Sequence, residues 1–262
     1  MRVKRFDDFT DYRTIAQCLQ IPLKSGDMLN LRWNHFPALN YTDAMGVESD
    51  SWQPGGRAGM FSLMPFLMIE TNPATNSFFR LAEEGPGIYT NLGTSGSVRY
   101  FEIPGTSYKA RKNGAATYFT EFEFDQQVYF QYGAENHTLF GRVLRRWDRN
   151  GNQTTFNYSA RTSNPSGYQP LLRKITGDLA TVIPYFEYGG STNEAGRPAP
   201  VKKIFLLDRT AAASHRAVYF DYSSYTDPAQ TYLTQITYPG GCVRQFQFVD
   251  ASDRTAIQKE VD

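Results

Sequence analysis

Residues 141–158 decide the fold, and they read Gly141-Arg142-Val143-Leu144-Arg145-Arg146-Trp147-Asp148-Arg149-Asn150-Gly151-Asn152-Gln153-Thr154-Thr155-Phe156-Asn157-Tyr158. Side chains alternate between the two faces of a β-strand, so Phe156 and Tyr158 point to one face and Asn157 to the other. The polar segment before them contains Asn150-Gly151, a pair that supplies the positive φ values of a tight turn. We therefore expect a β-hairpin with one aromatic face, and positive φ at Gly151 and at Asn150.

The closing motif, a Phe, a polar residue and a second ring, recurs along the chain. Its five copies are Phe130-Gln131-Tyr132, Phe156-Asn157-Tyr158, Phe186-Glu187-Tyr188, Phe220-Asp221-Tyr222 and Phe246-Gln247-Phe248. The closing rings are 26, 30, 34 and 26 residues apart. Before each of the last four copies lies a pair of apolar residues at positions i and i+3: Leu144 and Trp147, Leu172 and Ile175, Val201 and Ile204, Leu233 and Ile236. Self-similarity of this kind is the sequence signature of a repeat architecture.

A single hairpin of this type cannot bury its ring face alone and is marginally stable in water. Hairpins joined edge to edge complete one another, as the units of a repeat protein do. The predicted fold class is therefore all-β, with stacked antiparallel β-hairpins that form a curved or spiral sheet. We expect the ring pairs to be buried on one face, with Asn157, Glu187 and Asp221 on the opposite face.

The repeated residues resemble a known family. Residues 141–158 closely resemble the RHS, or YD, repeat, which runs roughly G-R-L-x-x-I-x-D-x-x-G-N-x-x-x-F-x-Y. The later units match it less fully: the second keeps Asp178, the third keeps Asp208, and the fourth has Tyr238 in place of the Asp. The resemblance spans residues 141–249.

The resemblance implies an architecture and a class of partner. In toxin complexes, bacterial polymorphic toxins and teneurins, RHS repeats form a spiral β-sheet that closes into a hollow shell, and in the toxins the shell encloses a cytotoxic C-terminal domain. The chain would then be a fragment or remnant of such a shell, in an extracellular or cell-surface setting. Its partners would be further RHS repeats or an enclosed polypeptide. The aspartate motif by which the family releases its toxin, DPxGxxD, is absent, because Asp227-Pro228 is followed by Ala229.

We expect another unit to begin near Arg254 and Ile257, just before the sequence ends. The repeat count therefore predicts an unpaired sheet edge at the C-terminal end of the repeats. Such an edge carries free N–H and C=O groups that recruit another strand. We expect concentration-dependent self-association through it.

The pattern divides the chain into three regions. Residues 1–87 are predicted to be a loop-rich lead-in, and residues 88–140 a β-rich lead-in. Residues 141–262 hold the repeats, with the last unit incomplete.

Two local predictions concern the lead-in. Residues 10–20 carry apolar positions at helical spacing between a Thr10 cap and Pro22, and they predict a short helix. Asn113-Gly114 predicts a type I′ hairpin that joins residues 108–112 to residues 115–119.

Composition argues against several classes of protein. Lys+Arg is 27 and Asp+Glu is 26, so the net charge of +1 does not favour a nucleic-acid-binding surface. Two cysteines are too few for a disulfide framework or a four-cysteine zinc site. No apolar run reaches the 18 residues of a membrane span. Asp7, Asp8 and Arg13 interrupt the first residues, so no signal-peptide core is visible.

No group of residues forms a recognisable catalytic, cofactor or metal site. A catalytic role for Cys18 or Cys242 would need a histidine that the fold brings near. The turn Asp148–Asn152 lacks the bidentate Glu that closes an EF-hand calcium loop. The three histidines are too far apart for a local metal motif: His35, His137 and His215.

Three functional hypotheses remain. The repeats favour a non-enzymatic scaffold whose aromatic-faced sheet walls off a partner. The second hypothesis is a carbohydrate-binding cell-surface module in which exposed Tyr faces stack on sugar rings. The third is a glycoside hydrolase built on Glu121, Glu123 and Asp125, because carboxylates two apart on a strand lie about 6.5–7 Å from each other. Burial separates the first two: rings in a packed face indicate a scaffold, and rings in an open groove indicate glycan binding.

Overall fold

A computed structural model gives the fold of the chain. It describes residues 13–35, 59–61, 66–69, 78–82, 85–106, 109–113, 118–123, 128–133, 142–159, 171–180, 182–189, 200–208, 215–223, 232–248 and 257–261.

The described residues form nineteen β-strands and no helix. The strands are β1 (Arg13–Pro22), β2 (Met28–His35), β3 (Gly59–Phe61), β4 (Phe66–Ile69), β5 (Phe78–Ala82), β6 (Gly85–Ser95), β7 (Val98–Glu102), β8 (Lys109–Asn113), β9 (Tyr118–Glu123), β10 (Val128–Gly133), β11 (Val143–Trp147), β12 (Gln153–Tyr158), β13 (Leu172–Gly177), β14 (Val182–Tyr188), β15 (Val201–Asp208), β16 (His215–Tyr222), β17 (Leu233–Thr237), β18 (Val243–Phe248) and β19 (Ile257–Val261).

The strands belong to two antiparallel sheets. A three-stranded sheet has the order β1-β2-β3, and we call it the N-terminal sheet. The other, the repeat sheet, has sixteen strands in simple sequence order from β4 to β19. Each strand of the repeat sheet pairs with the next one along the chain, so the hairpins stack edge to edge. The predicted all-β fold of antiparallel hairpins in a curved sheet is confirmed.

The repeat sheet begins earlier than the sequence predicted. Strands β4 and β5 lie within the segment expected to be loop-rich, and they pair with each other and with β6. The boundary expected between residues 87 and 88 falls inside β6. Strand β3 ends at Phe61 in the N-terminal sheet, and β4 begins at Phe66 in the repeat sheet.

The helix predicted for residues 10–20 is wrong, because residues 13–22 form strand β1. The register of β1 against β2 shifts between Thr14 and Ala16 and again between Gln17 and Leu19. Each shift inserts an extra residue into the strand and changes which side chains share a face. Two bulges in ten residues therefore break the alternation expected of a strand and imitate helical spacing.

The hairpin predicted at Asn113-Gly114 exists in a different register. Strands β8 and β9 do pair antiparallel, but the last pair is Lys112 with Phe119. A two-residue turn at Asn113-Gly114 would have paired Lys112 with Ala115. The connection is therefore longer than a type I′ hairpin allows.

A single core joins the two sheets. Buried side chains run from the N-terminal sheet through β6 and β7 to β18, and they form one continuous cluster. The largest fully buried side chains are Trp33, Tyr89, Phe61 and Phe220. Three of these four come from the lead-in, so the lead-in and the repeats share one interior.

Candidate interaction surface

The repeated Phe side chains make up one buried face of the repeat sheet, which we call the ring face. Phe156, Phe186, Phe220 and Phe246 are at most 4% exposed. On the opposite face Asn157 is half-buried, and Glu187 and Asp221 are exposed. The backbone of Phe130-Gln131-Tyr132 lies in β10 and that of Phe248 in β18, but their side chains are outside the described residues.

The apolar residues at i and i+3 are buried together because a β-bulge lies between them. Leu172 pairs with Tyr158 and Ile175 with Phe156, and the register shifts by one residue between these two pairs. In a regular strand, residues three apart would point to opposite faces. The extra residue, Arg173, brings both apolar side chains to the ring face.

The same bulge recurs at the closing motif of every unit. The register shifts lie between Gln131 and Tyr132, Asn157 and Tyr158, Glu187 and Tyr188, Asp221 and Tyr222, and Gln247 and Phe248. The apolar pairs that become buried in β13, β15 and β17 are Leu172 with Ile175, Val201 with Ile204, and Leu233 with Ile236. The repeat is therefore a hairpin with a bulge built into the first strand of each unit.

The isoleucines of the third and fourth units are core residues and not part of an accessible site. Ile204 and Ile236 are both 0% exposed. Ile204 is in register with Phe186, and Ile236 is in register with Phe220. Each isoleucine is buried next to the Phe of the preceding closing motif, so neither is accessible to another molecule. These repeat positions serve packing alone.

The first unit differs from its predicted pairing by one residue. Val143 is fully buried, whereas Leu144 is half-buried and is the extra residue of the bulge. Trp147 is also only half-buried. The positions equivalent to Leu172 and Ile175 are Val143 and Arg146, because the bulge, and not the apolar character of a residue, sets the register.

Two of the closing Tyr residues tie the open ends of their hairpins. The Tyr158 hydroxyl donates a hydrogen bond to the Val143 carbonyl oxygen at 2.8 Å, and the Tyr188 hydroxyl donates to the Leu172 carbonyl oxygen at 2.9 Å. Each bond joins the end of a hairpin's second strand to the start of its first. Burial raises the pKa of both hydroxyls, so they remain protonated donors through the neutral range.

The N-terminal sheet covers the ring face at the last two units. The Trp33 ring lies 5.4 Å from the Phe246 ring, centroid to centroid. The Phe61 ring meets the Phe220 ring edge to face at 4.9 Å. Trp33 and Phe61 are both fully buried, so this contact closes the ring face to solvent there.

Backbone contacts fix the N-terminal sheet against the second unit. Leu23, just after β1, forms an isolated antiparallel bridge with Leu179, which follows β13. The Lys24 amide donates to the Asp178 carbonyl oxygen at 3.3 Å. On the other side of the bridge, the amide of residue 180 donates to the Pro22 carbonyl oxygen at 3.0 Å. The two sheets are thus joined by main chain as well as by rings.

The buried Cys18 thiol belongs to the same covered region. Burial raises its pKa to about 12, although a backbone hydrogen bond from Trp33 and the positive charge of Arg244 on β18 oppose the shift. The other cysteine, Cys242, is exposed in the turn between β17 and β18. Thiolate is the reactive form of cysteine, so Cys18 is unsuited to act as a nucleophile in this environment.

The turn of the first unit is organised by one carboxylate. Asp148 is 4% exposed, and its carboxylate accepts hydrogen bonds from the Asn150 amide at 2.8 Å and the Asn152 amide at 2.9 Å. The Asn152 side-chain amide adds a third bond at 2.7 Å. Desolvation raises the pKa of Asp148, but these bonds and the charge of Arg146 outweigh it and hold the pKa below its usual value. In the first unit the repeat's Asp therefore holds the turn.

The turn itself is longer than a two-residue loop. The Gly151 amide donates to the Asp148 carbonyl oxygen, and the Asp148 amide donates to the Asn152 carbonyl oxygen. Together these bonds enclose a three-residue loop that ends in Gly151, whose φ is 81° as predicted. A β-turn followed by a glycine with positive φ is the common three-residue hairpin.

The face opposite the rings is polar and is occupied by its own side chains. The Tyr185 and Phe205 rings stack nearly parallel at 5.1 Å. The Lys203 ammonium lies 5.1 Å above the Phe205 ring and 5.6 Å from the Tyr219 ring, and it pairs with Glu187 at 3.8 Å. The rings of Tyr185 and Phe205 thus turn their faces to each other, whereas the Tyr219 ring on the same face is 44% exposed.

The strands fix the backbone places of four of the remaining candidates for chemistry. His35 and His215 lie in β2 and β16, and His137 is outside the described residues. Glu121 and Glu123 lie in β9, and Asp125 is also outside the described part. Within the described chain no cluster of three His, Cys, Asp or Glu side chains could hold a metal ion. The same residues include no helix with the length and apolarity needed to cross a membrane.

Sequence reasoning missed the N-terminal sheet and its role as the cover. The signal was present in β2, where Leu29, Leu31 and Trp33 alternate with polar residues and are all at most 4% exposed. That alternation marks a half-buried strand. It does not reveal which surface the strand covers.

The chain has no match among protein-family models, and none at a significant level among curated proteins. Solved structures do resemble it. The N-terminal domain of the effector protein SpvB from Salmonella typhimurium strain LT2 is similar with a TM-score of 0.52 and 11% identity, over 84% of this chain and 98% of that one.

Toxin-complex structures are similar as well. The crystal structure of TcdB2-TccC3-Cdc42 matches with a TM-score of 0.54 and 10% identity, over 88% of this chain and 16% of that one. The crystal structure of TcdB2-TccC3 without its hypervariable C-terminal region matches with a TM-score of 0.55 and 9% identity, over 95% and 17%. At these identities the likeness shows a shared fold. The chain spans less than a fifth of these toxin-complex chains and nearly all of the SpvB domain.

Proposed function

We propose that the chain is a non-enzymatic β-repeat scaffold of the kind found in toxin-complex and effector proteins, and that its ring face encloses polypeptide. The enclosed segment includes the chain's own residues 13–35 and 59–61. The observation that carries the proposal is the pair of ring contacts, Trp33 with Phe246 and Phe61 with Phe220, between fully or nearly buried side chains. A sheet whose aromatic face packs against polypeptide in this way acts as a scaffold that encloses protein.

Ring burial separates the scaffold from the glycan hypothesis. The four described Phe rings of the repeat are at most 4% exposed, so they offer no face to a sugar in this conformation. Further RHS repeats or a longer enclosed cargo would extend the same ring face. The similar toxin-complex and effector folds support this class of function.

Hydrogen exchange tests the enclosure. In Trp33→Ala the amides of β16–β18 should exchange faster, because their ring face loses its cover. Met28→Ala is the matched control: Met28 starts the same strand but is 49% exposed, so its variant should exchange like the wild type. Equal protection of β16–β18 in wild type and Trp33→Ala would overturn the proposal.

A turnover assay tests the non-enzymatic part. The purified chain should release no product from a panel of nitrophenyl glycosides covering common sugars and both anomers. Turnover that disappears in Glu121→Gln or Glu123→Gln would instead establish the hydrolase hypothesis.

A further inference from the structure

Tyr219 is an exposed ring on the face of the repeat sheet opposite the ring face. Its side chain is 44% exposed, whereas that of Phe220 is fully buried. On one side Tyr219 is in register with Lys203 of β15, whose ammonium lies 5.6 Å from the ring centroid. On the other side it is in register with Thr237 of β17, and Thr237 with Val243 of β18, which is 36% exposed. These positions form an accessible strip that carries one aromatic ring and one aliphatic side chain.

A row of planar polar side chains runs beside this strip. Asp221, Gln235 and Gln245 are in register on β16, β17 and β18. Gln245 Nε2 donates to Gln235 Oε1 at 3.0 Å, and Gln235 Nε2 donates to Asp221 Oδ2 at 3.4 Å. Gln235 Nε2 also donates to the Thr237 hydroxyl at 3.1 Å. The side chains therefore hold one another in place across three strands, as the polar groups of a preorganised site do.

The two ends of this row keep polar atoms for a ligand. Asp221 and Gln245 are exposed, whereas Gln235 is half-buried and uses both of its side-chain N–H groups within the row. In the described part of the chain, Asp221 Oδ1 and Gln245 Oε1 have no hydrogen-bond partner. A carboxylate oxygen accepts hydrogen bonds, and an amide both accepts and donates. These groups match hydroxyl groups, each of which is a donor and an acceptor.

The charges in and next to this region balance. On β14–β16 they are two ammonium groups and two carboxylates, belonging to Lys202, Lys203, Glu187 and Asp221. Lys203 and Glu187 form an ion pair at 3.8 Å. Electrostatic complementarity therefore favours neither an acidic nor a basic ligand. We call this region the β16–β18 patch, and its residues are Tyr219, Asp221, Gln235, Thr237, Val243 and Gln245.

We propose that the β16–β18 patch binds a neutral oligosaccharide. The C–H face of a pyranose ring packs on the Tyr219 ring, because aromatic side chains offer a large apolar surface. Asp221 lies two residues along the same strand, about 6.5–7 Å away by strand rise. That distance is close to the width of one sugar, so hydroxyl groups at the edge of the stacked ring reach the carboxylate.

A chain of sugars fits the patch better than a single one. Val243 is two strands away from Tyr219, or about 10 Å by strand spacing. A second sugar would therefore lie over Val243 with its hydroxyl groups next to Gln245. The patch is on the face opposite the ring face, so this inference does not depend on the enclosure proposed above.

Saturation-transfer NMR with the full chain tests the inference on four neutral hexasaccharides: maltohexaose and the β-1,4-linked hexamers of glucose, N-acetylglucosamine and mannose. At least one of them should receive saturation from the protein, most strongly at the axial protons of one sugar face. Tyr219→Ala should reduce this signal at least fivefold. Tyr100→Ala is the matched control, because Tyr100 is 43% exposed and lies on β7 outside the patch, and its variant should bind like the wild type.

A second pair of variants tests the polar row. Asp221→Ala should weaken the binding at least threefold, because the stacked sugar loses its acceptor. Asp27→Ala, at an exposed Asp between β1 and β2, should leave the binding unchanged. Circular dichroism melts confirm that all four variants are folded.

Three results would overturn the proposal. The first is no saturation of any of the four hexasaccharides, or equal signals from Tyr219→Ala and Tyr100→Ala. The second is stronger binding of hexagalacturonate than of every neutral hexasaccharide, because the patch would then select an acidic ligand. The third is self-association in sedimentation velocity that Tyr219→Ala abolishes, which would assign the patch to a second copy of the chain.

Discussion

At Gly177 the second hairpin packs directly against the backbone of the first. Its φ is 104°, and a Cβ there would overlap the backbone carbonyl oxygen of Gln153 and lie 3.2 Å from the Cα of Thr154. The adjoining Asp178 amide donates to that same Gln153 oxygen at 2.8 Å. Glycine is required here for its conformation and for the space it leaves.

We therefore expect Gly177→Ala to lower the free energy of unfolding by about 2–4 kcal/mol, through left-handed strain and a backbone clash. Gly151→Ala is the matched control, because φ there is also positive but nothing lies within 4 Å of the added Cβ. It should cost about 1–2 kcal/mol. Urea denaturation of both variants makes the comparison, and equal losses would show that the two hairpins do not meet at Gly177.

Asp148 links stability to pH. Its pKa is lowered in the folded protein, so its carboxylate stabilises the fold above the ordinary Asp pKa, and this stability is lost as pH falls through the lowered value. Asp148→Asn should cost about 1–2 kcal/mol at pH 7, because two backbone amides lose a charged acceptor. The difference between wild type and Asp148→Asn should shrink steadily below about pH 4. Melting curves from pH 7 to pH 3 measure it, and a constant difference would mean that the carboxylate does not hold the turn.

At the scale of the strand, β16 separates the two faces within neighbouring residues. Phe220 is fully buried on the ring face, and Tyr219 is 44% exposed on the other. Phe220→Ala should cost about 3–5 kcal/mol, because a buried ring leaves a cavity. Tyr219→Ala should cost less than about 1 kcal/mol. Chemical denaturation measures the free energy of unfolding of both variants. Similar losses would show that Phe220 does not lie on a buried ring face.

The strands show what the sequence could and could not specify. The Phe-x-Tyr motif predicted both the hairpins and the buried face, because its period of two leaves no other choice of face. The sequence shows that the spacing of three between Leu172 and Ile175 recurs, but it does not show why. The cause is a β-bulge, and no particular residue type marks a bulge in the sequence. In β1 the same irregularity produces the apolar spacing that predicts a helix over residues 10–20. In β11 it moved the buried position from Leu144 to Val143.

At the scale of the molecule, the repeat sheet ends in β19. Strand β19 pairs with β18 through the same register shift that opens every earlier unit, so it occupies the place of a first strand. The sequence predicts an open sheet edge at the strand that contains Phe246–Phe248. Strand β19 pairs with that strand, so the outermost described strand is β19. In the described part of the sheet, β18 is the one neighbour of β19.

We expect β19 to recruit a second copy of the chain, because an open strand edge pairs readily. Sedimentation velocity should show a mass that rises with protein concentration over two decades. Lys259→Pro, which removes a backbone donor from β19, should shift the distribution towards monomer. A monomer at every concentration would show that the edge is blocked.

How the two sheets meet could not be predicted from the sequence. Alternation in β2 indicates a buried face, but the contact of Trp33 with Phe246 joins residues from opposite ends of the chain. No local pattern encodes a contact of that separation. The candidate interaction surface therefore depends on ring contacts that only the folded chain brings together.

The two native cysteines test the central claim, that the N-terminal sheet lies on the ring face, without any mutation. Cys18 lies in β1 of that sheet and is buried, with its pKa raised to about 12, whereas Cys242 is exposed. With a thiol reagent at pH 8 and peptide mass spectrometry, Cys242 should be modified within minutes and Cys18 only at the rate of global unfolding. Modification of Cys18 as fast as Cys242 in the folded chain would contradict the account, because it would place the N-terminal sheet away from the repeats.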